Sequence, residues 1–134
     1  MIIKSVIAAA CIAIATPAAA HGPSETVTPN FEHAITNIPG KSLIAVVVDY
    51  PPGAASSPHT HEGSAFIYAY VVSGTIESQV DDGPKRVYRA GESFYEAPGS
   101  RHIVSRNASA TEPARLLAVF VVDSDHDALT SPVN

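Results

Sequence analysis

Gly53-Ala-Ala-Ser-Ser-Pro-His59-Thr-His61 ends a Pro/Gly-rich turn and leads into an apolar run. In an extended segment, residues i and i+2 point to the same side. Thr60 therefore faces away, and the imidazoles of His59 and His61 reach toward one point. That is metal-ligand spacing on a strand, and the segments around it read as strands as well.

Upstream, Leu43 to Asp49 (LIAVVVD) is β-branched and apolar, bounded by Gly40 and by Pro51-Pro52-Gly53. Downstream, Ala65 to Val72 (AFIYAYVV) runs to Ser73-Gly74, and Thr75 to Val80 (TIESQV) alternates and stops at Asp81-Asp82-Gly83-Pro84, a hairpin signal. Lys85 to Arg89, Ser93 to Glu96, His102 to Ser105 and Arg115 to Val122 follow, separated by Ala90-Gly91, Ala97-Pro98-Gly99 and a polar loop. No segment of this region sustains a helical period. Short strands with Gly/Pro turns at close spacing predict an all-β sandwich or barrel.

Both faces of the Ala65–Val72 strand are apolar: Phe66, Tyr68, Tyr70 and Val72 on one, Ala65, Ile67, Ala69 and Val71 on the other. Two arrangements satisfy this pattern. The strand is covered by a second sheet and a loop, or its small-residue face packs on a second subunit in a homodimer.

The first twenty residues read as a secretory signal peptide. Lys4 supplies the positive start, Ser5 to Ala15 form an apolar core too short to span a bilayer, and Ala18-Ala19-Ala20 is an A-x-A cleavage site. Cleavage after Ala20 leaves 114 of the 134 residues, enough for one domain with one core. It also removes the single cysteine, Cys11, so stability rests on packing and any metal site uses N and O ligands. The expected organisation is a signal peptide over 1–20, an N-terminal arm over 21–40, a β-domain over 41–124 and a mobile C-terminal tail over 125–134. The destination is the periplasm or the exterior, with no membrane attachment after cleavage. The net charge of −5, with 8 Lys+Arg and no basic run, argues against nucleic acid as a partner.

A second cluster, Gly91-Glu-Ser-Phe-Tyr-Glu-Ala97-Pro98-Gly99-Ser-Arg-His102, lies downstream. The spacing Gly53, five residues, His59, one residue, His61, with Gly74 later, resembles the first motif of the cupin family. Gly91, five residues, Ala97, one residue, Gly99, two residues, His102 resembles the second. The resemblance runs roughly from Leu43 to Val122 and points to a small single-domain bacterial cupin. It implies a double-stranded β-helix, a jelly roll of two facing sheets. It also implies one divalent transition metal (Fe, Mn, Ni, Zn or Cu) in the barrel mouth, with His59, His61 and His102 as ligands. His33 and His126 fall outside both motifs and are expected on the surface.

The family's first motif supplies a Glu a few residues after its second His. Here those places hold Ala65, Phe66 and Ile67. Glu96 is the candidate replacement, as fourth ligand and as acid or base, because it shares the parity of an inward Phe94. Its other reading is an ion pair with Arg101. Glu62, next to His61, points the other way along the strand. Tyr68, with Tyr70, is a candidate to line the pocket and donate a hydroxyl to a ligand, beside the more frequent role of core filling.

An open metal site suits an enzyme of the oxygenase, isomerase or lyase class acting on a small organic molecule. The alternative is a non-catalytic module that binds or senses a small molecule or metal. The fold hosts both.

Overall fold

A computed structural model describes residues 22–133. The signal peptide predicted over 1–20 lies outside the described residues. Among those described there are eleven strands and no helix: β1 (Thr26–Ala34), β2 (Lys41–Tyr50), β3 (Ala55–Ser56), β4 (His59–His61), β5 (Phe66–Ser73), β6 (Thr75–Val80), β7 (Arg86–Arg89), β8 (Ser93–Glu96), β9 (Arg101–Asn107), β10 (Ala114–Asp123) and β11 (Thr130–Pro132). They form two antiparallel sheets, in the orders β1-β2-β10-β5-β8 and β11-β4-β9-β6-β7, with β3 pairing β9.

The chain changes sheet repeatedly from β2 onward, staying in one sheet only from β3 to β4 and from β6 to β7. Successive segments therefore alternate across one interior, and strands distant in sequence become neighbours. β10 pairs β2 over ten residues, with Phe120 opposite Ile44 and Leu116 opposite Val48.

The two inner faces differ in chemistry. The first sheet turns Ile44, Val46, Val48, Ile67, Ala69, Leu116 and Phe120 into the core. These apolar side chains supply the bulk of the folding energy, about 1.5–3 kcal/mol for each large one. The second sheet contributes buried polar groups: Ser78, His102, Ser105 and Asn107. The three histidines thus stand on one wall, and the facing, mostly apolar wall carries Glu96 and Tyr50.

Two segments depart from expectation. The stretch read as a loose arm contains β1, which pairs with β2 from Thr26↔Asp49 to Ala34↔Ser42 with a bulge between Pro29 and Phe31. Its polar sequence hid it because an edge strand exposed along its whole length needs no apolar alternation. Pro29 sits where an edge tolerates a missing N–H donor. The tail read as mobile carries β11, which pairs with β4, Thr130 opposite His61 and Pro132 opposite His59.

The faces of β5 also resolve. Ala65, Ile67, Ala69 and Val71 are buried in the core of this same chain, so the small-residue face is not an intersubunit surface. Phe66, Tyr68 and Val72 are the exposed side, at 43%, 44% and 46%.

Candidate metal centre

β4 delivers His59 and His61 to one side, as their i, i+2 spacing dictates. β9 lies beside it with His102 directly opposite His59. The ring centroids of His59 stand 4.8 Å from His61 and 5.1 Å from His102, and one ligand atom from each of the three lies within 4.8 Å of the others. These three histidines could hold a metal ion.

Glu96 enters from the facing sheet. β8 pairs with β5, Glu96 opposite the inward Ile67, and the carboxylate is 2% exposed. Its Oε2 lies 3.4 Å from His61 Nε2 and 3.5 Å from His102 Nδ1, while Oε1 is buried with no hydrogen-bond partner. The alternative pairing with Arg101 does not form: Glu96 faces the histidines, and the exposed Arg101 is bonded through its backbone N–H to Asp81.

Ring hydrogen bonds decide where the lone pairs point. His59 Nδ1 lies 2.7 Å from the Ser57 carbonyl oxygen, and His61 Nδ1 lies 3.1 Å from that of Leu129. A carbonyl only accepts, so both Nδ1 atoms carry the proton and both Nε2 atoms present lone pairs in the neutral ring. The contact to Leu129 comes from the segment just before β11, so the paired tail orients a site residue. His102 Nε2 is engaged by Ser78 Oγ at 2.8 Å. In the neutral state His61 Nε2 and Glu96 Oε2 are then two acceptors face to face. Either a second proton on His61 or a cation between them relieves the repulsion. Two ligand atoms each about 2.1 Å from a shared ion stand roughly 3.0–3.4 Å apart. The observed 3.4 Å and the unpartnered Oε1 fit a cation in that place.

Burial pushes the pKa of His102 down to about 4, against the opposing pull of the Glu96 carboxylate. For Glu96, burial raises the pKa, but His61, His102 and His59 together lower it by more, so the net direction is down. The sign for stability follows. Between the ordinary histidine value and about 4, the unfolded chain binds a proton at residue 102 that the folded chain refuses. The chelated, metal-free protein is therefore expected to lose about 3 kcal/mol of stability as pH falls through this window. Glu96 adds a loss in the same direction at lower pH. Urea melts of His102→Gln should lack the upper part of this slope; an unchanged slope would remove the assignment to His102.

The remaining predicted residues are placed as follows. Tyr68 is not a pocket residue: it lies on the outer face of its sheet beside Tyr95, because its parity is that of Phe66 rather than Ile67. Tyr70 shares that outer face. Glu62 turns away, as expected, and accepts the backbone N–H of Ser64 at 2.8 Å. His33 is exposed, and His126 lies 4.0 Å from Glu32.

Tyr50 and Phe120, which sequence reading passed over, complete the cavity together with the expected inward Phe94. Tyr50 is 2% exposed, and its hydroxyl lies 2.8 Å from both Ser56 Oγ and Ser105 Oγ. The signal was present: Tyr50 continues the inward parity of Ile44, Val46 and Val48, one residue beyond the predicted end of the strand. Phe94 and Phe120 set their rings edge-on to His102 and His61 at 5.9 and 5.2 Å.

The profile of the Cupin domain matches residues 46–120, more than half of the chain. The chain belongs to the cupin family. No curated protein matches this cupin in sequence. Among solved structures, it resembles an uncharacterized conserved protein with a double-stranded beta-helix domain from Klebsiella pneumoniae, with a TM-score of 0.64 at 18% identity, over 89% of this chain and 90% of that one. TT1209 from Thermus thermophilus matches with a TM-score of 0.59 at 26% identity, over 74% of this chain and 84% of that one. A recombinant oxalate oxidase in complex with glycolate matches with a TM-score of 0.62 at 23% identity, over 84% of this chain but 57% of that one. The first and third likenesses establish the double-stranded β-helix fold and nothing finer.

Proposed function

We propose that this cupin is a secreted or periplasmic metal-dependent enzyme acting on a small organic molecule. The observation that carries the reading is Glu96: a buried carboxylate set against imidazole lone pairs, with one oxygen left without a partner. Such an arrangement is costly without a cation. His59, His61 and His102 would hold the ion and Glu96 would complete the set. A divalent transition metal there supplies Lewis acidity, and a redox-active one also supplies electrons for oxygen chemistry. Glu96 Oε1 is the carboxylate atom free to take up and return a proton. Phe94 and Phe120 pack against His102 and His61 and shield that side of the site from water. The signal-peptide pattern of residues 1–20 supports secretion.

The test is elemental analysis and intact mass of the protein recovered from its native compartment without chelator. The expected result is close to one equivalent of a transition metal on a chain beginning at His21. Iron would place the enzyme in oxygen chemistry and zinc in isomerase or lyase chemistry. A trace of metal only would overturn the reading.

A further inference from the structure

The cavity beneath the histidines outlines its ligand. It encloses about 160 Å³. An apolar cavity of about 150 Å³ accommodates benzene, so the occupant has roughly six to eight non-hydrogen atoms. Val46, Val48, Ile67, Leu116, Phe94 and Phe120 form its large apolar patches. Its charged side chains are Glu96 and Glu25, both acidic, and neither lysine nor arginine lines it. A ligand with a carboxylate away from the metal would bury that charge against apolar groups with no cation to pair it, which is strongly unfavourable.

Besides the metal ligands, and besides Glu25 and Thr130, a hydroxyl cluster faces this space. Tyr50 reaches across from the first sheet to Ser56 and Ser105 on the second. The three hydroxyls carry three protons and share two hydrogen bonds, so one proton is left for another acceptor. The cluster is held rigidly: Asn107 Nδ2 donates to the carbonyls of Tyr50 and Pro51, both at 3.2 Å, which fixes the backbone from which the ring projects.

Resting on the metal-centre reading above, we propose that the ligand is a small uncharged carbonyl compound with an apolar body. One oxygen goes to the metal centre, and a second accepts a hydrogen bond from the Tyr50–Ser56–Ser105 hydroxyl cluster. Tyr50 is then the specificity-determining residue, and dicarboxylates are excluded.

The experiment uses zinc-loaded full-length mature protein and NMR titration with two probes, acetoin (an uncharged hydroxyketone) and succinate (a dianion). Acetoin is expected to shift resonances of the cavity residues saturably, and succinate at equal concentration to leave them in place. Tyr50→Phe, which keeps the ring and removes the hydroxyl, should raise the acetoin Kd roughly tenfold, the worth of one hydrogen bond. If Tyr50→Phe folds poorly, Ser56→Ala at the half-buried end of the cluster should raise it several-fold. Tighter binding of succinate than of acetoin, or an acetoin Kd indifferent to both substitutions, would overturn the proposal. Zinc measured on the same samples separates the two levels. Protein that takes up no zinc defeats the metal reading itself, whereas zinc-loaded protein that prefers succinate defeats only the ligand class.

Discussion

His102→Ala, expressed and purified beside the parent protein, is expected to carry almost no transition metal, and His59→Ala the same. Both residues stand on paired strands with their rings 5.1 Å apart, so neither can be replaced by a neighbour without breaking the β4–β9 register. In structural zinc sites the metal supplies about 10–16 kcal/mol over four ligands, roughly 3 kcal/mol for each, which corresponds to a loss of affinity on the order of a hundredfold or more. Glu96→Gln keeps the shape and removes the charge, so it should weaken binding without abolishing it. The readout is metal content together with a competition titration against a chelator of known affinity. Full occupancy in His102→Ala would mean that the three histidines do not form the site. Ser78→Ala should be milder, because it only frees the far nitrogen of the His102 ring.

The second large effect is structural. Gly74→Ala is expected to destabilise the protein by about 2–5 kcal/mol, summing a left-handed backbone penalty and overpacking against a rigid neighbour. Gly74 has φ +71°, and it sits where the chain leaves β5 in one sheet to begin β6 in the other. A Cβ there would fall onto the Pro113 carbonyl oxygen, 2.7 Å from Ala114 Cα and 2.8 Å from Ala114 Cβ. All of these atoms belong to the backbone or the first side-chain carbon at the start of β10, so nothing flexible can give way. Gly99→Ala is the control. Its φ is +79°, but its missing Cβ would point into open space, so only the backbone penalty of about 1–2 kcal/mol applies. Thermal melts of the two variants should differ by roughly 4–15 °C, and equal melting temperatures would refute the close approach. The position belongs to the first cupin motif, and the structure supplies its physical reason: a sheet-to-sheet crossing pressed against the start of another strand.

Much of the fold was legible from local pattern. β2, β5, β6, β8 and β10 appear within a residue or two of where β-branched runs and Gly/Pro punctuation put them. Their boundaries are set by local chemistry, since turns need positive φ and strands need alternating or apolar side chains. β1, β3 and β11 were not legible. They are short or fully exposed, and their strand state exists only because β2, β9 and β4 offer backbone partners. Local sequence carries no record of a partner supplied from elsewhere in the chain.

The site divides the same way. The His59/His61 pair follows from strand periodicity, and the parity of Glu96 with Phe94 already aimed that carboxylate inward. Tyr68 went wrong for a comparable reason. Parity correctly separated the two faces of β5, but both are apolar, and nothing local says which one meets the core. The aromatic side proved to be the exposed one, and the small-residue side, Ile67 and Ala69 included, faces the interior.

By itself, then, the sequence determined an all-β cupin chain with a histidine pair on a strand and a third histidine in a matching motif. Strand periodicity and turn chemistry are local, and they survive without knowledge of the rest of the molecule. The tertiary structure alone decided that Glu96 crosses from the opposite sheet to stand 3.4 Å from His61, and that Tyr50 spans the interior to two serines. It also decided which face of β5 is inside. Each of these depends on how two sheets are laid against one another. That arrangement is a property of long-range packing, which no short stretch of sequence contains.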